Sequence, residues 1–216
     1  MTSACSMLWL ASGSPRRRML AQWLGLPVRV GPALVDERAR PGETPEAYVR
    51  RLARAKAEAA RAQAPAEAIV LGADTVVVYQ GRILGKPRDP DDALRMLRAL
   101  AGREHHVLTG FALLWPAAGR EHVDVVRTRV WLRAMDEAER RAYVASGDPM
   151  DKAGAYAAQN PTFRPVERVE GCFANVVGLP VCDIARVLMR WGCPRVRGIV
   201  ARCAQAFGYN CSIGLP

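Results

Sequence analysis

The sequence predicts an α/β protein with a central mixed sheet flanked by helices. Two observations carry that class. Apolar runs of strand length alternate with capped helical segments, and hairpins interrupt the alternation, as a purely parallel sheet would not allow. The 216 residues are 50% hydrophobic, enough to bury a core without staples. A mean hydropathy of −0.05 is that of an ordinary globular chain.

Each element has a local reason. Residues 6–11 (SMLWLA) form a short apolar strand. A helix over 15–24 follows, with Ser14 as N-cap and Pro15 at its first position. Residues 29–35 read as extended, and Thr44-Pro45 opens a second helix that runs to 62. Residues 69–79 are a strongly apolar strand, which Gln80-Gly81 turns into a second one over 82–85. Asp89-Pro90 starts a helix and Gly102 ends it. Residues 106–114 and 122–132 read as a long hairpin, 136–146 as a helix stopped by Gly147, and 148–161 as a polar loop. Residues 163–169 and 173–177 are expected to be short strands, and Pro180 opens a last helix to 191. No repeat or linker breaks the chain.

Charge and cysteine usage limit the function classes. Net charge is +10, from 31 basic and 21 acidic residues, and 28 of the 31 are Arg. Most of these alternate with Glu on helices, as solvated faces do. With 6% aromatic residues the chain also lacks a basic stretch interleaved with rings, so a nucleic-acid partner is not expected. Beyond Asp183 there are five Arg and no acid. The six cysteines show no CxxC spacing and only three His are present, which does not suit zinc. Free thiols in a reducing cytoplasm are expected, and a disulfide among the late cysteines stays open. No apolar run approaches the roughly 18–20 residues of a membrane span, and the first ten residues lack a basic region ahead of their apolar stretch. The expected setting is cytoplasmic, without a membrane partner.

Five features could carry chemistry. The strand–loop–helix at Ser12-Gly13-Ser14-Pro15-Arg16-Arg17 offers free backbone N–H groups, two hydroxyls and two guanidinium groups to an anion such as a polyphosphate. The GxxxxGK[ST] loop is absent, and a plain capped helix is the alternative. Asp74 lies within an apolar strand, where a carboxylate costs several kcal/mol unless it is paired or meets a metal. General base and metal ligand are its natural roles. The three lysines stand out in a chain that writes cations as Arg. Lys56 follows the i, i+3, i+4 spacing of Val49, Leu52 and Ala53, so it belongs to a buried helix face. Lys86 follows a strand and Lys152 lies in the polar loop. A compact ammonium suits a phosphate oxygen in a tight pocket. Asp36-Glu37 is a carboxylate pair able to share a divalent cation, and the Gln159 amide could read a base edge.

Five blocks, in order, resemble the Maf family of nucleotide pyrophosphatases: Ser12-Gly-Ser-Pro-Arg-Arg17, Gly72-Ala-Asp-Thr75, Gly85-Lys-Pro87, Asp148-Pro-Met-Asp-Lys-Ala-Gly-Ala-Tyr156 and Val176-Val-Gly-Leu-Pro180. The resemblance spans residues 8–190. It implies two lobes around a nucleotide-binding cleft, and metal-dependent hydrolysis of a nucleoside triphosphate between its α and β phosphates. Asp74 matches the family's proton acceptor. Arg16, Thr75 and Gln159 match positions tied to base choice. Glu37, Lys56 and Lys86 match residues grouped around phosphates and metal. Mg2+ or Mn2+ would be held by Glu37 and Asp74. The Asp-Lys-Ala-Gly-Ala-Tyr156 block resembles the subgroup acting on dTTP and UTP. A purine-directed pyrophosphatase and a nucleotide-sensing regulator of cell division are the alternatives, and a homodimer is among the assemblies left open. Two departures stand out. Ala157-Ala-Gln-Asn160 replaces the usual Gly-Ile-Gln-Gly, with Asn tolerating left-handed backbone angles. Residues 192–216 continue past the usual end, so 1–191 are read as the pyrophosphatase domain and 192–216 as a basic extension without assigned role.

Overall fold

A computed structural model describes residues 5–32, 34–193 and 196–209. Arg195 and Cys211, in the extension, lie outside the described residues. The elements are β1 (Leu8–Leu10), α1 (Pro15–Gln22), β2 (Val28–Val30), α2 (Pro45–Arg61), β3 (Ile69–Tyr79), β4 (Arg82–Leu84), α3 (Pro90–Leu100), β5 (Glu104–Trp115), β6 (Arg120–Leu132), α4 (Glu137–Ala145), β7 (Val166–Glu170), α5 (Phe173–Val177), α6 (Val181–Arg190) and α7 (Ile199–Phe207). Among the described residues the strands form one sheet in the order β2-β1-β3-β5-β6-β7, with β4 paired to the far end of β3. The β2–β1 and β1–β3 pairs are parallel and the rest antiparallel. The expected mixed sheet is therefore present.

Local chemistry accounts for most boundaries. Thr44 caps α2 by accepting from Ala47 N at 3.2 Å, Pro45 fills the first helical position, and Glu46 and Arg61 complement the helix dipole. Asp89 and Asp136 cap α3 and α4 in the same way. One face of α2 (Val49, Leu52, Ala53, Lys56, Ala57, Ala60) is buried against β3 and β5, so Lys56 lies inward as its spacing requires. The long β5–β6 pair runs from Glu104–Trp131 to Trp115–Arg120.

Four expectations need correction. Residues 173–177 form α5 rather than a strand. Their β-branched character suggested extension, yet Cys172 Sγ accepts from Asn175 N, and the Asn175 side chain donates to Val107 O and Thr128 Oγ1. The first bond caps the helix, and the other two tie it to β5 and β6. The strand expected over 163–169 starts at Val166, because Arg164 has φ +42° and Pro165 follows it. The polar loop over 148–161 contains two short 3-10 turns, Asp148–Asp151 and Ala153–Ala155. The cysteines are not all thiols: Cys5 and Cys193, 188 residues apart, form a disulfide with Cα atoms 5.3 Å apart. The extension also carries a helix not foreseen in the sequence, α7, whose Ile199 and Cys203 are buried in the main core.

Candidate active site

β1 delivers the chain to the first corner of the cleft. Ala11 N donates to Leu71 O, and Ser12 to Ser14 then turn into α1. Ser14 is extended and its Oγ accepts from Arg17 N at 3.4 Å. Ser12 Oγ accepts from Ser14 N at 3.3 Å and from Arg17 Nη1 at 3.4 Å. The first turn of α1 thus faces the cleft with its dipole and its N–H groups.

Arg17 is engaged inside the protein. Its Nε donates to Gly178 O at 2.9 Å, its Nη2 to Thr75 Oγ1 at 3.0 Å, and its Nη1 to Ser12 Oγ. That uses three of the five N–H groups of a guanidinium. Burial pulls the group below its ordinary value, and Asp74 opposes that pull. The bonds have a direction. Thr109 Oγ1 donates to Asn175 O at 3.1 Å, so Thr75 Oγ1, 2.9 Å away, donates to Thr109 while accepting from Arg17. Arg17, Thr75, Thr109 and α5 are one relay of hydrogen bonds.

Asp74 and Lys56 form the centre. They are 8% and 9% exposed, and Lys56 Nζ lies 2.6 Å from Asp74 Oδ1. The same nitrogen lies 2.6 Å from Glu37 Oε1, so two carboxylates converge on one ammonium. The buried charge on β3 is thereby compensated, which is what its apolar surroundings demanded. Glu37 reaches the pair because Tyr48 on α2 donates its hydroxyl to Glu37 O at 2.8 Å. Desolvation, followed by the charges of Asp74 and Glu37, raises the Tyr48 phenol above its ordinary value. Asp36 does not join Glu37. It turns outward to Arg38 at 2.7 Å, so the adjacent acids do not act as a pair.

The opposite wall comes from the segment after β4 and from the 3-10 turns. Lys86 lines it, as do Lys152, Tyr156 and Gln159. Lys152 Nζ donates to Asp148 O and pairs with Asp151 Oδ1, both at 2.6 Å. Asp151 also meets Arg16 Nη1 at 3.4 Å, linking the two walls across the mouth. Tyr156 is held from behind by buried His105, whose Nε2 lies 2.7 Å from its hydroxyl. At the altered turn, Asn160 Oδ1 accepts from Thr162 N and Phe163 N, and Nδ2 donates to Asp148. The left-handed residues of this stretch are Gly154, Ala155 and Arg164, so Asn160 holds the turn through its side chain and not through a left-handed backbone.

Of the residues singled out above, eleven (Ser12, Ser14, Arg16, Arg17, Glu37, Lys56, Asp74, Thr75, Lys86, Lys152 and Gln159) line one cleft of about 730 Å³, and Asp36 does not. Tyr48, Tyr156 and Asp151 line it too, and Thr109 supports it from below. Tyr48 and Thr109 were not anticipated, and Asp151 and Tyr156 were marked only as members of the Asp148–Tyr156 block. Thr109-Gly110 interrupts an apolar strand, the same signal that marks Asp74. Tyr48 has no such mark. Among the described residues no three His, Cys, Asp or Glu cluster as a metal cage. Glu37 and Asp74 are the carboxylates that would hold a divalent cation, beside the Lys56 ammonium that lies between them, with waters and substrate phosphates as its remaining ligands.

The comparison with protein families agrees with this geometry. The Maf-like protein family model matches residues 7–191. The chain belongs to the Maf-like family. Three of its relatives are described as dTTP/UTP pyrophosphatases. The one from Geotalea uraniireducens is 47% identical over 89% of this chain and 98% of its own. The one from Pelotomaculum thermopropionicum is 49% identical over 85% and 95%. The one from Anaeromyxobacter dehalogenans is 51% identical over 87% and 95%. Among the described residues no helix is long and apolar enough to cross a membrane.

Proposed function

We propose that this Maf-like protein is a nucleoside triphosphate pyrophosphatase that hydrolyses dTTP and UTP to the monophosphate and pyrophosphate. The observation that carries the reading is the buried Asp74–Lys56 pair, joined by the exposed Glu37 carboxylate, facing the N-terminus of α1 across one cleft. The names of the relatives supply the nucleotides.

Each residue has a role in this reading. The first turn of α1 and Arg16 hold phosphate oxygens, as a helix N-terminus does for anions. Arg17 adds the two N–H groups that its internal bonds leave. Asp74 takes the proton of the attacking water as general base. Lys56 and Lys86 stabilise charge that grows on the bridging and leaving oxygens. Lys152 adds a cation on the far wall. Thr75 and Gln159 contact the base. Glu37 would hold Mg2+ or Mn2+, and Asp74 would join it as ligand only where another group serves as the base. When bound, such an ion clamps the phosphates and neutralises their charge.

The test is a panel of nucleoside triphosphates, with pyrophosphate release measured with and without a chelator. The expected result is turnover of dTTP and UTP above the purine nucleotides, lost on chelation. No pyrophosphate from any triphosphate sinks the reading. A homodimer is compatible with it, and sedimentation decides. A cytoplasmic setting fits a nucleotide substrate, whereas the Cys5–Cys193 bond runs against the cytosolic rule. Thiol trapping in fresh lysate measures which prevails.

A further inference from the structure

The family match ends at residue 191, yet the chain beyond it is built into the fold behind the cleft. Cys193 is bonded to Cys5, just ahead of the strand that feeds the Ser12–Arg17 corner. α7 packs on α5 and α6. Phe207, at its end, places its ring 4.9 Å from Phe173 and 5.7 Å from Trp23. Tyr209 places its ring 5.4 Å from Phe173 and donates its hydroxyl to Val169 O and Gly171 O, each at 3.2 Å.

Trp23 and Phe173 are the rear ends of two short helices. Trp23 closes α1, whose first turn bears Arg16 and Arg17, and Phe173 opens α5, whose far end, Val176 to Gly178, lines the cleft. At the cleft the two helices are joined by the Arg17–Gly178 bond. At the rear they are joined by Phe207.

We propose that Phe207 is a positioning residue for substrate binding, and that with Tyr209 and the Cys5–Cys193 bond it makes the extension a clamp on α1 and α5. Eight- and five-residue helices hold little order by themselves, and packing fixes them. The clamp touches α1, which carries the phosphate contacts, and α5, whose end lines the cleft. β3 and α2, which carry Asp74, Thr75 and Lys56, are held by their own packing in the sheet. Loosening it therefore weakens nucleotide binding more than the chemical step.

The inference rests on the pyrophosphatase reading, and the experiment separates the two. Phe207→Ala, Phe207→Leu, Tyr209→Phe and the control Arg202→Ala, on an exposed part of α7, are made in the full chain. With dTTP, Phe207→Ala should raise KM roughly tenfold with kcat within about twofold, as loss of uniform binding does. Phe207→Leu should recover most of the loss, Tyr209→Phe should show a smaller rise, and Arg202→Ala none. Amide hydrogen exchange, which needs no activity, should quicken at 14–18 and 173–178 in Phe207→Ala and not at 69–79. Unchanged exchange at 14–18 and 173–178 overturns the clamp even if no nucleotide is turned over. An unchanged KM, or a fall in kcat alone, overturns it in an active enzyme. Should Phe207→Ala fail to fold, Tyr209→Phe decides by the same exchange segments.

Discussion

Gly72 on β3 faces Ala53 on α2 so closely that a Cβ at Gly72 would stand 2.2 Å from Ala53 O and 2.7 Å from Ala57 N. Gly110, paired with Asp74 across β3 and β5, faces Val49 O in the same way, also at 2.2 Å. Residues 72 and 74 share one face of the strand, and Lys56 lies between Ala53 and Ala57 along the helix. The two glycines let α2 settle on the sheet, and that approach brings Lys56 Nζ to Asp74. The glycine of the Gly-Ala-Asp-Thr block is thus explained by packing as well as by its neighbour's chemistry.

Gly72→Ala should lift α2 from β3. The expected cost is about 1–3 kcal/mol or more, the usual range for overpacking, read in denaturant melts. Turnover should fall with it, since the Lys56–Asp74 contact opens. A variant as stable and as active as the parent would refute this account of the helix.

Asp74→Asn should lower turnover by at least ~100-fold, within the range of a general base. The fold should persist. The Asn carbonyl still accepts from Lys56, and Glu37 still compensates the ammonium. Initial rates beside a thermal melt make the measurement, and near-parental rates would remove Asp74 from the mechanism.

Lys56→Arg keeps the charge and should still cost ~10-fold in rate, about 1.4 kcal/mol. A longer planar group cannot place one nitrogen 2.6 Å from both Asp74 and Glu37. Arg50→Lys is the control, because Arg50 is exposed and donates to Val123 O outside the cleft. Equal rates for both variants would show that the ammonium has no special place.

His105 should give the protein an acid-labile step. Burial holds this imidazole down to about 4, against an ordinary 6.5. The unfolded chain then binds more protons between those values, so stability rises with pH across that window and is lost as pH falls from 6.5 towards 4. The full loss is roughly 3 kcal/mol. His105→Gln, which keeps a polar partner for Tyr156, should flatten the stability curve by that amount below pH 6.5 and leave it unchanged above. Parallel curves for the two proteins would disprove it.

Much was legible because its causes are local. Thr44-Pro45 and Asp89-Pro90 start helices through bonds to residues three positions on, and the inward place of Lys56 follows from helical spacing. The isolated Asp74 in an apolar strand already required a partner. The tertiary structure decided which partner. Lys56, Glu37 and Asp74 come from a helix, a loop and a strand, and nothing in their spacing makes them meet. It turned Asp36 away from Glu37, and it spent much of Arg17 on Gly178, Thr75 and Ser12. It made residues 173–177 a helix against their β-branched character, because Asn175 finds its acceptors on β5 and β6. It also joined Cys5 to Cys193 across 188 residues. Capping and periodicity act over a turn or two of chain and can be read from neighbours. Contacts between distant segments depend on how every intervening element packs, and only the folded molecule fixes them.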